Sequence, residues 1–135
     1  MTRTYCLPHI YDVAFDFRDV RAEVNFLLRL GESVTGRPVK SAIELACGPA
    51  YHAREFARRG LVSTGLDLLP EMIAYSRELA AKERLSVDFV EGDMRAYRSD
   101  QKYDIAYILI ASFAHLLTNQ DILDNFSFVA ELLNE

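Results

Sequence analysis

The stretch Ser41–Ala53, SAIELACGPAYHA, constrains this chain more than any other. Ile43 and Leu45 flank Glu44 in an alternation that fits a strand. Cys47-Gly48-Pro49-Ala50 is a turn of small residues, and Tyr51 to Gly60 has helical composition with a glycine stop. A small-residue turn between strand and helix lets backbone N–H groups come close to a ligand.

The rest of the chain repeats that alternation. Thr4 to Phe17 reads as aromatic and irregular, with Tyr5, Tyr11, Phe15 and Phe17 and with Pro8 as a breaker. A helix is expected from about Arg18 to Ser33, where Val20, Val24, Leu27, Leu28 and Gly31 share one face and Asp16 or Asp19 caps the start. Gly36-Arg37-Pro38 ends it. Leu61–Asp67 reads as a second strand, and Pro70 opens a helix to about Arg84 that buries Met72, Ile73, Leu79 and Ala80. Ser86–Asp93 is a third strand, Met94–Lys102 a polar loop and Tyr103–Ile110 a fourth strand. Ala111–Leu117 reads as a loop, and Thr118 with Asp121 forms a capping-box start for a last helix running to the C-terminus. The class is α/β: a three-layer Rossmann-like parallel sheet of about four strands with helices on both faces. Residues 1–135 form one domain, with 1–38 an aromatic segment and helix and 39–135 a ligand-binding core. The ligand is expected at the C-terminal ends of the strands, where the strand order reverses.

Composition narrows the partners. Of 135 residues, 26% are charged and the net charge is −5, and no basic face for nucleic acid is visible. Arg54, Arg58 and Arg59 read as a solvated helix face. No apolar run approaches the roughly 20 residues of a membrane span, and the first residues lack the apolar core of a secretory signal. No membrane partner and a cytoplasmic location are expected. Cys6 and Cys47 read as free thiols. His9, His52 and His115 are far apart in sequence, so no metal site is expected.

Three acids, Glu44, Asp67 and Asp93, fall near three strand ends. Asp67 follows Gly48 by 19 residues. There a carboxylate offers two oxygens to the two hydroxyls of a ribose. The plainer reading of Asp67 is a helix cap, and that of Asp93 a turn residue beside Gly92. Gly48-x-Ala50-x-x-Ala53 is also a degenerate dinucleotide fingerprint, so a nicotinamide cofactor stays open. Glu44 inside the first strand and Asp93 beside Met94 speak instead for a different adenosyl cofactor. A buried, unpaired Glu44 would cost several kcal/mol. Its expected partner is a ligand ammonium or water.

These residues carry a family resemblance. ELACGPA resembles the first motif of class I S-adenosylmethionine-dependent methyltransferases: an acid, three residues, Gly, one residue, Gly. Glu44 and Gly48 match, and Ala50 stands at the second glycine, a replacement that fits a backbone of negative φ. Asp67 and Leu68 resemble the family's ribose-binding acid and its neighbour. Asp93 and Met94 resemble the adenine-binding pair, and Tyr103-Asp104-Ile105-Ala106 the opening of the fourth strand. The resemblance runs from about Val39 to the last residue. It implies S-adenosylmethionine as cofactor. It also implies that Ala46 and Gly48 touch the methionine part through their backbones, that Glu44 reaches its ammonium, and that Ile110 and Ala111 line the methyl-transfer side. The implied reaction is methyl transfer to a small-molecule or protein acceptor. A nicotinamide-dependent oxidoreductase and a non-catalytic cofactor-binding module are the alternatives.

Ser112, Phe113 and His115 follow the fourth strand, where the methyl should emerge. His115 is either a general base or a loop histidine. Tyr11, Phe15, Phe17 and Arg18 form either a substrate wall or lid, or a cover for the core edge. His52 is assigned no chemical role, and Asp104 merely opens a strand. Tyr103–Ile110 is apolar on both faces, so its free side calls for cover by missing C-terminal strands or by another copy in a homo-oligomer.

Overall fold

The computed structural model describes residues 7–135; Tyr5 and Cys6, and the free thiol expected at Cys6, lie outside the described residues. The elements in order are α1 (Pro8–Phe15), α2 (Val20–Thr35), β1 (Ser41–Leu45), α3 (Tyr51–Arg58), β2 (Val62–Asp67), α4 (Pro70–Lys82), β3 (Asp88–Glu91), β4 (Ile105–Ile108), a single 3-10 turn at Ser112–His115 and α5 (Asn119–Leu132). The strands lie in the order β3-β2-β1-β4, and every pairing is parallel. The order reverses at β1, because β2 and β3 are added on one side of it and β4 on the other.

Side-chain alternation along β1 assigns its two faces. Ile43 and Leu45 point to the α5 face, where they meet Leu66, Phe128 and Leu132. Fully burying one such side chain stabilises by about 1.5–3 kcal/mol. Ala42 points the other way, toward Val24 of α2 and Phe56 of α3. Glu44 shares that second face by the same alternation, so a carboxylate is carried into a helical layer. Register brings the C-terminal strand ends level: Leu45 pairs with Leu66 and with Ile108, and Asp67 with Glu91.

The helix ends follow their caps. Asp19 accepts the Ala22 N–H at the start of α2, and Thr118 and Asp121 complete a reciprocal capping box on α5. Four readings change. Pro8 opens α1 rather than breaking the chain, because proline at the first helical position gives up no helical hydrogen bond. The 111–117 segment contains the 3-10 turn. The last helix stops at Leu132, where Tyr103 N–H donates to the Leu132 carbonyl and Asn134 N–H to that of Tyr103, both at 2.8 Å. Of the three arginines read as a solvated face, only Arg58 is exposed, and all three are ion-paired. Arg54 is buried and pairs with Glu83, Arg58 bridges Glu55 and Glu83, and Arg59 joins Glu55 to Asn25 of α2.

Asp104 also does more than open β4. Its carboxylate accepts the Lys40 and Ser41 N–H groups at 2.7 and 3.0 Å, and Arg37 and Asn134 as well. Despite burial, these donors hold it well below the usual carboxylate range. It thus fixes where β1 and β4 begin. Among the described residues, β4 has a strand partner on one side only, no helix is long and apolar enough to cross a membrane, and no cluster of three metal-ligating side chains occurs.

Candidate functional site

The turn after β1 is built from left-handed residues. Ala46, Gly48 and Ala50 have φ of 54°, 51° and 56°. Ala50 therefore departs from the negative φ that its methyl favours, at a cost of about 1–2 kcal/mol. Ile110 and Ala111, just past β4, are left-handed as well, at 53° and 56°. For a β-branched residue that is a genuine outlier. Strain of this kind clusters where a structure serves a function, and here it flanks the C-terminal edge of the sheet from both sides of the reversal point.

Asp67 ties the turn to the neighbouring strand. Its Oδ2 accepts the Gly48 N–H at 2.8 Å and its Oδ1 the Leu69 N–H at 2.9 Å. Only 9% of the residue is exposed. Burial pushes its carboxyl up even though the Leu69 and Gly48 N–H groups work to lower it. Ser76 of α4 donates its hydroxyl to the Gly48 carbonyl at 2.6 Å, fixing the other side of the same residue.

Glu44 has its partners inside the chain, contrary to the expectation of a ligand ammonium or water. Its Oε2 accepts the Ala53 N–H at 2.9 Å, and its Oε1 stands 3.5 Å from His52 Nδ1. A carboxylate is well placed there, because the first turn of a helix presents unpaired N–H groups and positive dipole. His52 is 1% exposed and its Nε2 lies 2.6 Å from Glu23 Oε2. Arg18 clamps Glu23 from the far side with Nε at 3.1 Å and with Nη2. Burial opposes the imidazolium, but the hydrogen bond and charge of Glu44, then Glu23, outweigh it and raise the His52 pKa. His52, given no role by sequence, is thus the link between α2 and the strand acid.

A cavity of about 420 Å³ opens at this edge of the sheet. Nine residues singled out from sequence line it: Tyr11, Ala46, Gly48, Asp67, Leu68, Asp93, Met94, Ser112 and His115. Four others do not. Glu44 turns into the helical layer, Ala50 is buried under α3, Arg18 is engaged by Glu23, and Ile110 supplies backbone strain beside the cavity rather than wall. Leu69, Met72, Gly92 and Arg95 line it without having been singled out. Met72 was readable only as a core residue of α4. Arg95 grips Asp93 with Nε and Nη2, the latter at 2.6 Å, and its hydrogen bond holds Asp93 below the usual carboxylate range. It also reaches Asp121 of α5 at 3.2 Å. Charge pairing of residues 93 and 95 across a turn leaves a signal in sequence, an acid two before an arginine, but a weak one.

Comparison with known proteins gives one answer in three ways. The family described as a methyltransferase domain matches residues 42–135. A protein of Geobacillus sp. (strain WCH70), provisionally named a methyltransferase, is 27% identical over 96 residues, which make up 71% of this chain and 39% of that protein. The structure of an S-adenosylmethionine-dependent methyltransferase from Clostridium acetobutylicum ATCC 824 matches with a TM-score of 0.82 at 18% identity, over 96% of this chain and 52% of that one. The glycopeptide N-methyltransferase MtfA, complexed with S-adenosyl-L-methionine, matches with a TM-score of 0.69 at 25% identity, over 87% of this chain and 51% of that one. The chain therefore spans about two fifths of that relative's length and about half of those structures.

Proposed function

This chain belongs to the methyltransferase domain family, and on that premise we propose that its cavity takes S-adenosylmethionine and that the protein transfers a methyl group to a small-molecule acceptor. Asp67 carries the reading. It is a buried carboxylate facing the cavity, and each of its oxygens holds one backbone N–H and keeps a further lone pair. Burial raises its carboxyl despite those N–H groups, and two ribose hydroxyls would add donors to its remaining lone pairs. Leu68, Met72 and Met94 offer apolar surface for a flat base, and Ala46 and Gly48 offer backbone to the methionine end. The volume of about 420 Å³ falls in the usual range for small-molecule sites.

The cofactor, when bound, would supply an electrophilic methyl on a sulfonium, transferred in line to the acceptor atom as the S–CH3 bond breaks and the neutral thioether leaves. The chain's residues supply position, which is the larger part of catalysis for such a transfer. His115 and Ser112 stand on the side of the cavity next to the end of β4. In this reading His115 takes the proton from a protonated acceptor and Ser112 orients it. Tyr11 forms the facing wall, and Asp93, held by Arg95, borders the adenine end.

Support for a small acceptor comes from MtfA, whose name gives a glycopeptide as the molecule methylated. The net charge of −5 and the ion-paired arginines argue against nucleic acid. The free side of β4 would take a further strand, from more chain or from a second copy. A cytoplasmic location fits a chain in which no helix among the described residues is long and apolar enough to cross a membrane.

Calorimetric titration with S-adenosylhomocysteine and with NAD tests the cofactor. Binding of the first alone supports the reading, and binding of NAD alone ends it. Release of labelled methyl into an acceptor then separates an enzyme from a cofactor-binding module.

A further inference from the structure

Helix α1 lies against the cavity yet contributes no buried residue. Ile10 is 48% exposed and Val13 80%. Hydrophobic burial therefore does little to hold it, unlike α5, which buries Phe128 and Leu132 completely. Its inner side presents Tyr11, whose ring carbon Cε1 lies 3.6 Å from where a Cβ on Gly48 would stand. Phe15 backs that ring at 4.5 Å.

The next residue, Asp12, is a double fastening. Tyr51 donates its hydroxyl to the Asp12 carbonyl at 2.7 Å. Tyr75 donates its hydroxyl to Asp12 Oδ2, also at 2.7 Å. Tyr51 is the first residue of α3, immediately after the left-handed turn, and Tyr75 lies in α4, which starts three residues past Asp67. One residue of α1 thus grips both helices that leave the ligand-bearing strand ends. The Arg54 guanidinium lies 5.5 Å from the centre of the Tyr51 ring and steadies it. Burial, then the hydrogen bond to Asp12, raises both phenols, Tyr75 to about 12. Both stay donors across the physiological range.

Resting on the cofactor reading above, we propose that Asp12 is a positioning residue that latches α1 as a removable wall of the cavity, setting Tyr11 against the Gly48 turn. Release of the latch admits and discharges the adenosyl ligand. Residues 16–19 join α1 to α2 and serve as the joint. An element with little buried surface, gripped at Asp12 by the two bonds from Tyr51 and Tyr75, belongs to the low-stability end of a fold. Tyr11 and Asp12 are neighbours on one helix, so loss of the Asp12 grip moves the cavity wall directly.

The test uses the 135-residue chain with three single variants, Asp12→Ala, Asp12→Asn and Tyr75→Phe, and the Asp12→Ala/Tyr75→Phe double. Amide exchange across residues 8–15 and the dissociation rate of S-adenosylhomocysteine are the readouts. Asp12→Ala and Tyr75→Phe should speed exchange in 8–15 and hasten ligand release about tenfold, the worth of one hydrogen bond to a charged group. The double variant should be no faster than either single one, because both remove the same bond. Asp12→Asn keeps an acceptor oxygen and should restore near-normal rates. Unchanged exchange in β1 and α5 reports an intact core. Exchange in 8–15 equal to the parent's in both Asp12→Ala and Tyr75→Phe would overturn the latch, as would unaltered release in those two. Should S-adenosylhomocysteine fail to bind the parent protein, the cofactor reading falls while the exchange arm still decides the latch.

Discussion

Gly48 donates its backbone N–H to Asp67 Oδ2 over 2.8 Å, so the turn after β1 and the end of β2 share one carboxylate. The acid proposed for the ribose is therefore also a strap that holds the turn in shape. Ligand affinity and local stability are coupled through it.

Replacement of Asp67 should show both effects. Asp67→Ala removes the proposed ribose acceptor and leaves the Gly48 and Leu69 N–H groups without their acceptor. Each buried donor left unsatisfied costs about 1–3 kcal/mol. Loss of one charge-assisted pair should weaken S-adenosylhomocysteine binding at least about tenfold by calorimetry. Affinity equal to the parent's would remove the ribose role, whatever happens to stability.

The His52 pair of carboxylates gives a pH signature. The groups facing the imidazole are Glu23 and Arg18 from the α2 side, Glu44 of β1 and Tyr107 of β4. The His52 pKa in the folded state lies above its ordinary value of about 6.5. The folded form thus holds the proton more tightly than the unfolded one. The stabilisation is complete below about pH 6.5 and is lost as pH rises through the folded value. Urea midpoints of the parent should fall relative to His52→Gln as pH is raised from 6 to 9. The slope from one proton is at most about 1.4 kcal/mol per pH unit. Parallel pH profiles for the two proteins would show that His52 carries no linked proton.

The parallel sheet was legible because its signals are local. Ile43 and Leu45 alternate, Thr118 and Asp121 cap within one turn, and Asp67 ends a strand next to Pro70. The partners of Glu44 were not legible. His52 reaches Glu23 across 29 positions of sequence, and no periodicity reports a contact made by packing two helices. α1 was missed because Pro8 means the same in sequence whether it stops a chain or starts a helix. The backbone of Ala50 was not legible, since alanine, unlike glycine, gives no sign of a left-handed φ. The cavity itself came through in large part, for its walls are strand ends, and strand ends are what alternation locates.

Ala50 tests how much the turn's strain costs. Glycine there would relieve the left-handed penalty of about 1–2 kcal/mol. It would forfeit a fully buried methyl worth about 0.8 kcal/mol and add about 0.5–1 kcal/mol of backbone entropy. These nearly cancel, so Ala50→Gly should shift stability by less than about 1 kcal/mol. Ala50→Val adds a branched side chain to a left-handed buried site and should cost at least about 2 kcal/mol. Chemical denaturation of both variants decides it; equal losses would mean that packing, not φ, governs the position.

Gly31 sets two rules against each other. In a helix interior, alanine is favoured over glycine by about 0.8–1 kcal/mol. A methyl on Gly31, however, would stand 2.8 Å from Ile105 Cγ2 and 2.8 Å from Val39 Cγ2. Both neighbours are β-branched and stiff at χ1, so neither swings aside cheaply. Overpacking of this kind costs about 1–3 kcal/mol. The clash outweighs the propensity, and Gly31→Ala should lower stability by about 1 kcal/mol in thermal or urea unfolding. Part of the loss comes from pushing α2 off β4, so it should shrink when Ile105→Ala is added, while the contact with Val39 remains. A Gly31→Ala protein more stable than its parent would show that α2 does not press on Ile105 and Val39 as closely as described.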